Sequence, residues 1–228
     1  MDVDGWVVRR SGGVTQRANS VATLSAPADV SAALVRVEEL YRADGLPAIF
    51  QLGPTVAPVD LDARLAARGY GYGSPTSVEV ADVAAVLTRL PSGPAVDVAG
   101  EPDDRWMDLW WAVDGRGDDS ALALARRILT AGPAWYGSVL AGGEVVAVAR
   151  LAVVGEWGGV YCMAVRPEAR RRGLGSVVLR GVLSHAAERG VRRCWLQVRA
   201  ENSAARALYA GAGFTTAARY HYRTLPIR

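Results

Sequence analysis

Hydrophobic and polar positions switch between two periods along this chain, and the switches outline its elements. From residue 95 onward, short alternating runs and longer helical runs follow one another. "AVDVAG" predicts a short strand, while "DRWMDLWWAVD" and "SALALARRILT" carry helical periodicity. "AWYGSVLAGGEVVAVARLAV" predicts a hairpin turning at Gly142-Gly143. "GGVYCMAV" predicts a strand ending at Arg166-Pro167, because proline has no N–H to give a ladder. The next helix sets Leu174, Val178, Val182 and Ala186 on one face and stops at Gly190. "RCWLQVRA" is a strand, "SAARALYAGA" a helix and "FTTAARYHYRTL" a final strand.

Residues 1–90 run through a shorter version of the same order. "GWVVRRSGGVTQRANSVATL" reads as a hairpin-like pair, followed by the helix "VSAALVRVEELYRADG". Then come the strand "AIFQLG", the helix "DLDARLAARG" and the strand "PTSVEVADV". "FQLG" echoes "LQVR", and Gly69-Tyr70 echoes Gly213-Phe214. The pattern predicts an α/β chain built as a duplication, with residues 1–90 and 91–228 as its two domains. "TVAPVDLD" and "LTRLPSGPAVD" read as loop-like joints, the second being the linker. The competing reading is that any βαβ run resembles another.

Composition narrows the classes. The chain has 228 residues, half of them hydrophobic, with a mean hydropathy of +0.11. No apolar run approaches the ~18 residues of a membrane span. The start, "MDVDGWVVRR", places acids before arginines and has no long apolar stretch, so it does not read as a signal peptide. A cytoplasmic protein without a membrane partner is the expectation. A net charge of +3, with arginines scattered over both halves, argues against a nucleic-acid partner. All 26 basic residues are arginine, which excludes a Schiff-base lysine and the lysine of a P-loop. Cys162 and Cys194 are too few for a disulfide framework and have no zinc spacing, so no metal is expected.

The chemistry gathers around "RRRGLGSVVL", residues 170–179. A helix opens with four unbonded N–H groups and the positive end of its macrodipole. Glycines at 173 and 175 would let phosphates approach that backbone closely. The G-x-G-x-x-G fingerprint is absent, since Val178 holds the third place. An arginine-flanked turn of this kind reads as a pyrophosphate cradle.

Arg170-Arg171-Arg172-Gly173-Leu174-Gly175 matches the Arg/Gln-x-x-Gly-x-Gly/Ala motif of the GNAT superfamily of acyl-CoA-dependent N-acetyltransferases, and the chain resembles that family. "ENSAARALYAGAGF" supplies a second match: Asn202, then Tyr209, then Gly213-Phe214. The resemblance implies a mixed, mostly antiparallel sheet flanked by helices, with acetyl-CoA as acyl donor. It implies that Met163, Ala164 and Val165 hold pantetheine at a bulge. It further implies that Arg170, Arg171, Arg172, Gly173, Leu174, Gly175 and Ser176 cradle the pyrophosphate. Asn202 would bond the pantetheine arm, and Tyr209 would protonate the departing thiolate. A tyrosine of pKa ~10 stays protonated at neutral pH and can do so. Helix N-cap and core aromatic are the structural alternatives for these two residues.

Gln197 stands where some relatives that acetylate peptide N-termini carry a glutamate, and it cannot take a proton. Glu156 is the substitute base, against a solvated hairpin residue or a water chain. His185 and His221 receive no role. Trp106, Trp110 and Trp111 lie on the first helix of the second half, a region that lines acceptor pockets in the family. Trp135, Tyr136, Trp157 and Tyr161 add aromatic surface suited to an apolar or amphipathic amine, and Trp106, Trp110, Tyr136 and Trp157 are taken as substrate residues. Core packing is the competing reading for them. The resemblance implies that the acceptor is a primary amine of a small molecule or peptide; a sensor that binds acyl-CoA without turnover is the alternative.

The first half resembles the truncated N-terminal half of tandem GNAT proteins, and "QRANSV" resembles a motif of some actinobacterial members. Matching Gly45 with Gly190 sets Gly173 on Ala28, Gly175 on Val30 and Arg170 on Ser25, and Asp29 would repel a pyrophosphate. Tyr209 falls on Leu65 and Asn202 on Pro58. A monomer with an internal pseudo-dimer and a degenerate first copy is therefore expected.

Overall fold

A computed structural model describes residues 1–227. Two units divide the chain: Met1–Ser77 together with everything from Ala218 onward, and Val78–Ala217.

The first unit opens with three short strands, β1 (Asp2–Val3), β2 (Trp6–Val8) and β3 (Val21–Thr23). Helix α1 (Val30–Ala43), strand β4 (Ala48–Leu52), helix α2 (Leu61–Ala67) and the first part of β5 (Gly71–Asp82) follow. β1, β2 and β3 pair antiparallel, whereas β3 and β4 are parallel across the α1 crossover. Helix α1 forms because Ala33, Leu34, Val37 and Tyr41 recur on one buried stripe. Trp6, Phe50, Leu61 and Leu65 join them in the core, and Trp6 meets Phe50 edge-on at 5.3 Å. "QRANSV" is absorbed by architecture: the buried Asn19 side chain accepts from Ser11 N (2.7 Å) and Gly13 N (2.9 Å) and donates to Thr15 O (2.8 Å).

After residues 78–82 of β5, the second unit continues into a helix that the sequence does not predict and that runs into the start of the stretch read as linker. Helix α3 (Val83–Arg89) is capped by Asp82, whose Oδ1 accepts from Ala85 N. It is followed by strand β6 (Val96–Ala99) and helices α4 (Asp104–Asp114) and α5 (Asp119–Leu129). Strands β7 (Ala134–Ala141), β8 (Glu144–Val154) and β9 (Trp157–Val165) form an antiparallel meander. Helix α6 (Leu174–Ala187), strand β10 (Arg193–Arg199), helix α7 (Ser203–Gly211) and strand β11 (Thr215–Leu225) complete the chain. The neighbours run β6-β7-β8-β9-β10-β5, with β9 and β10 parallel. This is the mixed, mostly antiparallel sheet flanked by helices that the resemblance implies. Val178, Leu179, Val182, Leu183 and Ala186 of α6 are fully buried in one core with Leu151 and Leu196, whereas α4 packs on β8 and β9.

The units part inside β5, at Ser77–Val78, and not at 90/91. The last strand of each half is also exchanged. Residues 78–82 of β5 flank β10 in the second unit, while β11 returns to the first unit and pairs antiparallel with β4, His221 opposite Leu52. Sheet pairing is tertiary, so a linear division of the sequence does not see the exchange. No helix among the described residues is long and apolar enough to cross a membrane.

Candidate active site

β9 and β10 run side by side in register from Trp157–Arg193 to Val160–Leu196, and the registered pairing ends there although both strands continue. On its other edge β9 pairs with β8, and the register shifts at the same level. Arg150 faces Tyr161 and Val148 faces Ala164, so Cys162 and Met163 together oppose Ala149. Two residues against one is a β-bulge, which bends the strand and breaks its ladder. Cys162, in the bulge, takes the left-handed conformation with φ +52°. Where two parallel strands part at a bulge, backbone N–H and C=O groups turn toward the opening instead of toward a partner strand.

The chain leaves β9 through a 3-10 turn, Pro167–Ala169, and enters α6 at Gly173. Gly173 is the N-cap with φ +77°, and no side chain caps the first turn. A Cβ built there meets nothing within 4 Å, so the space before the helix start is open. Arg170 donates from Nε to Val165 O at 3.2 Å, tying the arginine run back to β9. Among the described residues Arg170, Arg171 and Arg172 form no ion pair, and all three are exposed. Open first-turn amides and three unneutralised cations are what a pyrophosphate needs. Gly175 also has a packing reason. Its Cβ would come within 2.9 Å of Leu208 Cδ1, so this glycine lets α6 approach α7.

Helix α7 brings two further residues. Asn202 is its N-cap, with Oδ1 accepting from Ala205 N at 3.1 Å. The cap uses the carbonyl oxygen and leaves the amide Nδ2 as a donor. Tyr209 is buried, stacks edge-on with Phe214 at 5.8 Å, and places its hydroxyl 3.3 Å from Met163 Sδ. A residue of α7 thus touches the bulge of β9. Burial pushes the Tyr209 phenol up to about 12, so the hydroxyl keeps its proton throughout the neutral range.

Other residues singled out by the sequence lie elsewhere. Glu156 occupies the exposed β8–β9 turn, about 20 Å along β9 from Cys162 at ~3.3 Å per residue. It cannot act as the base at the bulge. Trp157 begins the same strand at the same far end, with the Arg193 guanidinium 5.5 Å above its ring, and is not at the site either. Trp135 packs on His185 at 5.0 Å, against α6. Trp106 and Tyr136 are core residues whose polar atoms are satisfied: Trp106 Nε1 donates to Gly137 O (3.0 Å) and Tyr136 Oη to Leu129 O (2.7 Å). Trp110 lies 6.2 Å from Trp106, ring to ring, and its buried Nε1 has no hydrogen-bond partner. Among the described residues no group of His, Cys, Asp and Glu gathers that could hold a metal ion.

One residue escaped the sequence reading. Arg150 is 8% exposed and stands beside the bulge, between Tyr136 and Tyr161 in register. Its signal was present, as a single arginine inside the apolar run "VVAVARLAVV".

The first unit presents the same order at α1 with a different cap. Both helices have 14 residues, and matching their starts puts Asp29, not Ala28, in the place of Gly173. Asp29 Oδ1 accepts from Ser31 N (2.9 Å) and Ala32 N (3.0 Å), so a carboxylate already occupies the amides that a phosphate would use.

Comparison with known proteins gives the family and the fold. A family model described as "Probable histone acetyltransferase Rv0428c C-terminal" matches residues 1–223. The "Uncharacterized N-acetyltransferase YobR" of Bacillus subtilis is 28% identical over 221 residues, 96% of this chain and 89% of that protein. The "[Ribosomal protein bS18]-alanine N-acetyltransferase" of Escherichia coli is 40% identical over 75 residues, 33% of this chain and 51% of that protein. A "Tandem GNAT protein from the clavulanic acid biosynthesis pathway" shares the fold with a TM-score of 0.68 at 17% identity, over 86% of this chain and 69% of that one. With a bulged β9, an uncapped glycine start to α6 and these relatives, the chain belongs to the Rv0428c C-terminal acetyltransferase family and, with it, to the GNAT-type N-acetyltransferases.

Proposed function

We propose that this chain moves an acetyl group from acetyl-CoA to a primary amine of a small molecule or peptide, using residues of the second unit. The observation that carries the reading is the contact of Tyr209 Oη with Met163 Sδ at 3.3 Å. It puts a proton donor at the bulge where β9 leaves β10.

The residues fit acetyl-CoA. The open space before Gly173 and the arginines 170–172 suit the pyrophosphate, with Leu174 and Ser176 supplying first-turn amides. The parted backbone of Met163, Ala164 and Val165 suits the amide-bearing pantetheine arm, and Asn202 Nδ2 offers it a donor. When bound, acetyl-CoA supplies an acetyl group activated as a thioester. The protein's share is orientation and proton control. A backbone N–H at the bulge polarises a carbonyl, in the manner of an oxyanion hole. Tyr209 holds a proton at Oη in a buried setting and gives it to a sulfur leaving group. The acceptor nitrogen must be neutral to attack, and with Glu156 remote its proton leaves to water.

The first unit is read as a degenerate copy that keeps the fold and, with Asp29 capping α1, holds no acetyl-CoA. The test is incubation of the purified protein with acetyl-CoA and a panel of amines, following thiol release. Amine-dependent release supports transfer; binding without release would turn the reading into an acyl-CoA sensor.

A further inference from the structure

A buried cation requires a counter-charge or a full set of hydrogen bonds, because desolvating it costs more than a single contact returns. In the second unit some half-exposed arginines have carboxylates, as Arg126 pairs with Asp104 at 2.6 Å and Arg199 with Glu201 at 2.7 Å, and others, such as Arg180 on Leu90 O (2.9 Å), are held by carbonyls. Arg150, at 8% exposure, has no carboxylate among the described residues. Its Nε donates to Leu129 O (3.0 Å) and approaches Tyr136 Oη (3.3 Å), and its guanidinium carbon lies 5.7 Å from the ring centres of both Tyr136 and Tyr161. The carbonyl end of α5 and two ring faces make the cation tolerable there. They leave its terminal amino groups, a fork of parallel donors, without a protein partner among the described residues, and since neither is a fully buried unsatisfied atom the fork reaches solvent, where a ligand can meet it. Such a fork matches a carboxylate.

Its position gives this meaning. Arg150 pairs with Tyr161, the residue immediately before Cys162, so it lies one step from the bulge. Opposite residues of an antiparallel pair are about 5 Å apart, Cα to Cα. Strand alternation puts Ala149 and Leu151, which belong to the core beneath α6, on one face and Arg150 on the other. On that other face Trp106 stands over Tyr136, and Trp110 Nε1 is a buried donor without an acceptor among the described residues.

We propose that Arg150 anchors a carboxylate on the acceptor, so that the substrate class is a short acidic amine whose carboxylate lies a few bonds from the reacting nitrogen. This rests on the acetyl-transfer reading. It is tested with amines that exchange carboxylate for carboxamide far enough from the nitrogen to leave its basicity nearly the same, such as 4-aminobutyrate and 5-aminopentanoate against their amides, with rates compared per neutral amine. Wild-type protein should prefer the acid by about 10-fold or more in kcat/KM, the worth of a charge-assisted bond. Arg150→Gln should abolish the preference with acetyl-CoA affinity unchanged. Arg150→Lys, which keeps the charge without the fork, should keep part of it, and it guards against a loss caused by the missing bond to Leu129 O. Equal use of acids and amides, or a preference that survives Arg150→Gln, would overturn the anchor and leave acetyl transfer standing. No thiol release from any amine, with acetyl-CoA bound, would overturn both.

Discussion

Replacing Tyr209 with phenylalanine removes one oxygen from the molecule and leaves its packing. The ring remains edge-on to Phe214, and only the 3.3 Å approach of the hydroxyl to Met163 Sδ disappears. A thioether is a weak acceptor, so the loss in stability should stay below ~1 kcal/mol. For a chain of this size that moves Tm by less than about 4 °C. Acetyl-CoA affinity should also hold, because the cradle at Gly173 is untouched. Turnover should not: losing a positioned general acid costs about 10²-fold, equivalent to ~2.7 kcal/mol on the barrier. The assay is thiol release at saturating acetyl-CoA, compared across pH. With the phenol pushed up to about 12, the wild-type donor stays loaded in the alkaline range where an ordinary exposed tyrosine of pKa ~10 would have ionised. No alkaline loss of kcat assignable to Tyr209 should therefore be seen between pH 8 and pH 10. A wild-type kcat in Tyr209→Phe would refute the reasoning and return the residue to the core of α7.

Other expectations follow from the same geometry. Burial pushes the Cys194 thiol up to about 12, so a thiol reagent at pH 8 should label Cys162 in the native protein and both cysteines after unfolding. Saturating acetyl-CoA should slow labelling of Cys162, which lies in the bulge; an unchanged rate would place the ligand elsewhere. In the first unit Asp62 is held at about 2 by the hydrogen bond from Arg223 Nε (2.8 Å) and then by His221 (2.9 Å). Its folded pKa lies below its ordinary value, so its contribution to stability is present above about pH 4 and is lost as pH falls toward 2. Acid unfolding followed by circular dichroism should be flatter over that window in Asp62→Asn, and superimposable curves would contradict the pairing.

How much of this was legible depended on whether the cause was local. The hairpin at Gly142-Gly143 and the 14-residue helix α6 were legible because their periods are set by neighbours in sequence. Helix α3 was not: seven residues with Pro91 close behind carry too short a periodic signal to stand out from a linker. The exchange of β5 and β11 was invisible because β11 takes β4 as partner from far along the chain. At the site, the motif spacing drew attention to Gly173 and Tyr209, and the fold sets Tyr209 against Met163. Glu156 and Trp157 misled because nearness in sequence to a site strand is not nearness in space. β9 has nine residues and separates its two ends by about 26 Å, at ~3.3 Å per residue. Arg150 could be noticed as an arginine in an apolar run, but only the register shows which rings hold it.

The claim that organises the rest is a single acetyl-CoA site, built at the start of α6 and absent from its counterpart at α1. Calorimetric titration of acetyl-CoA into the full chain and into Gly173→Asp tests it directly. Aspartate is among the side chains that tolerate a left-handed backbone, so the variant should fold, while its carboxylate would cap the first turn as Asp29 caps α1. The account predicts one site per chain in the wild type and no measurable binding in a folded Gly173→Asp. Two equivalent sites, or an unchanged affinity in the variant, would contradict it.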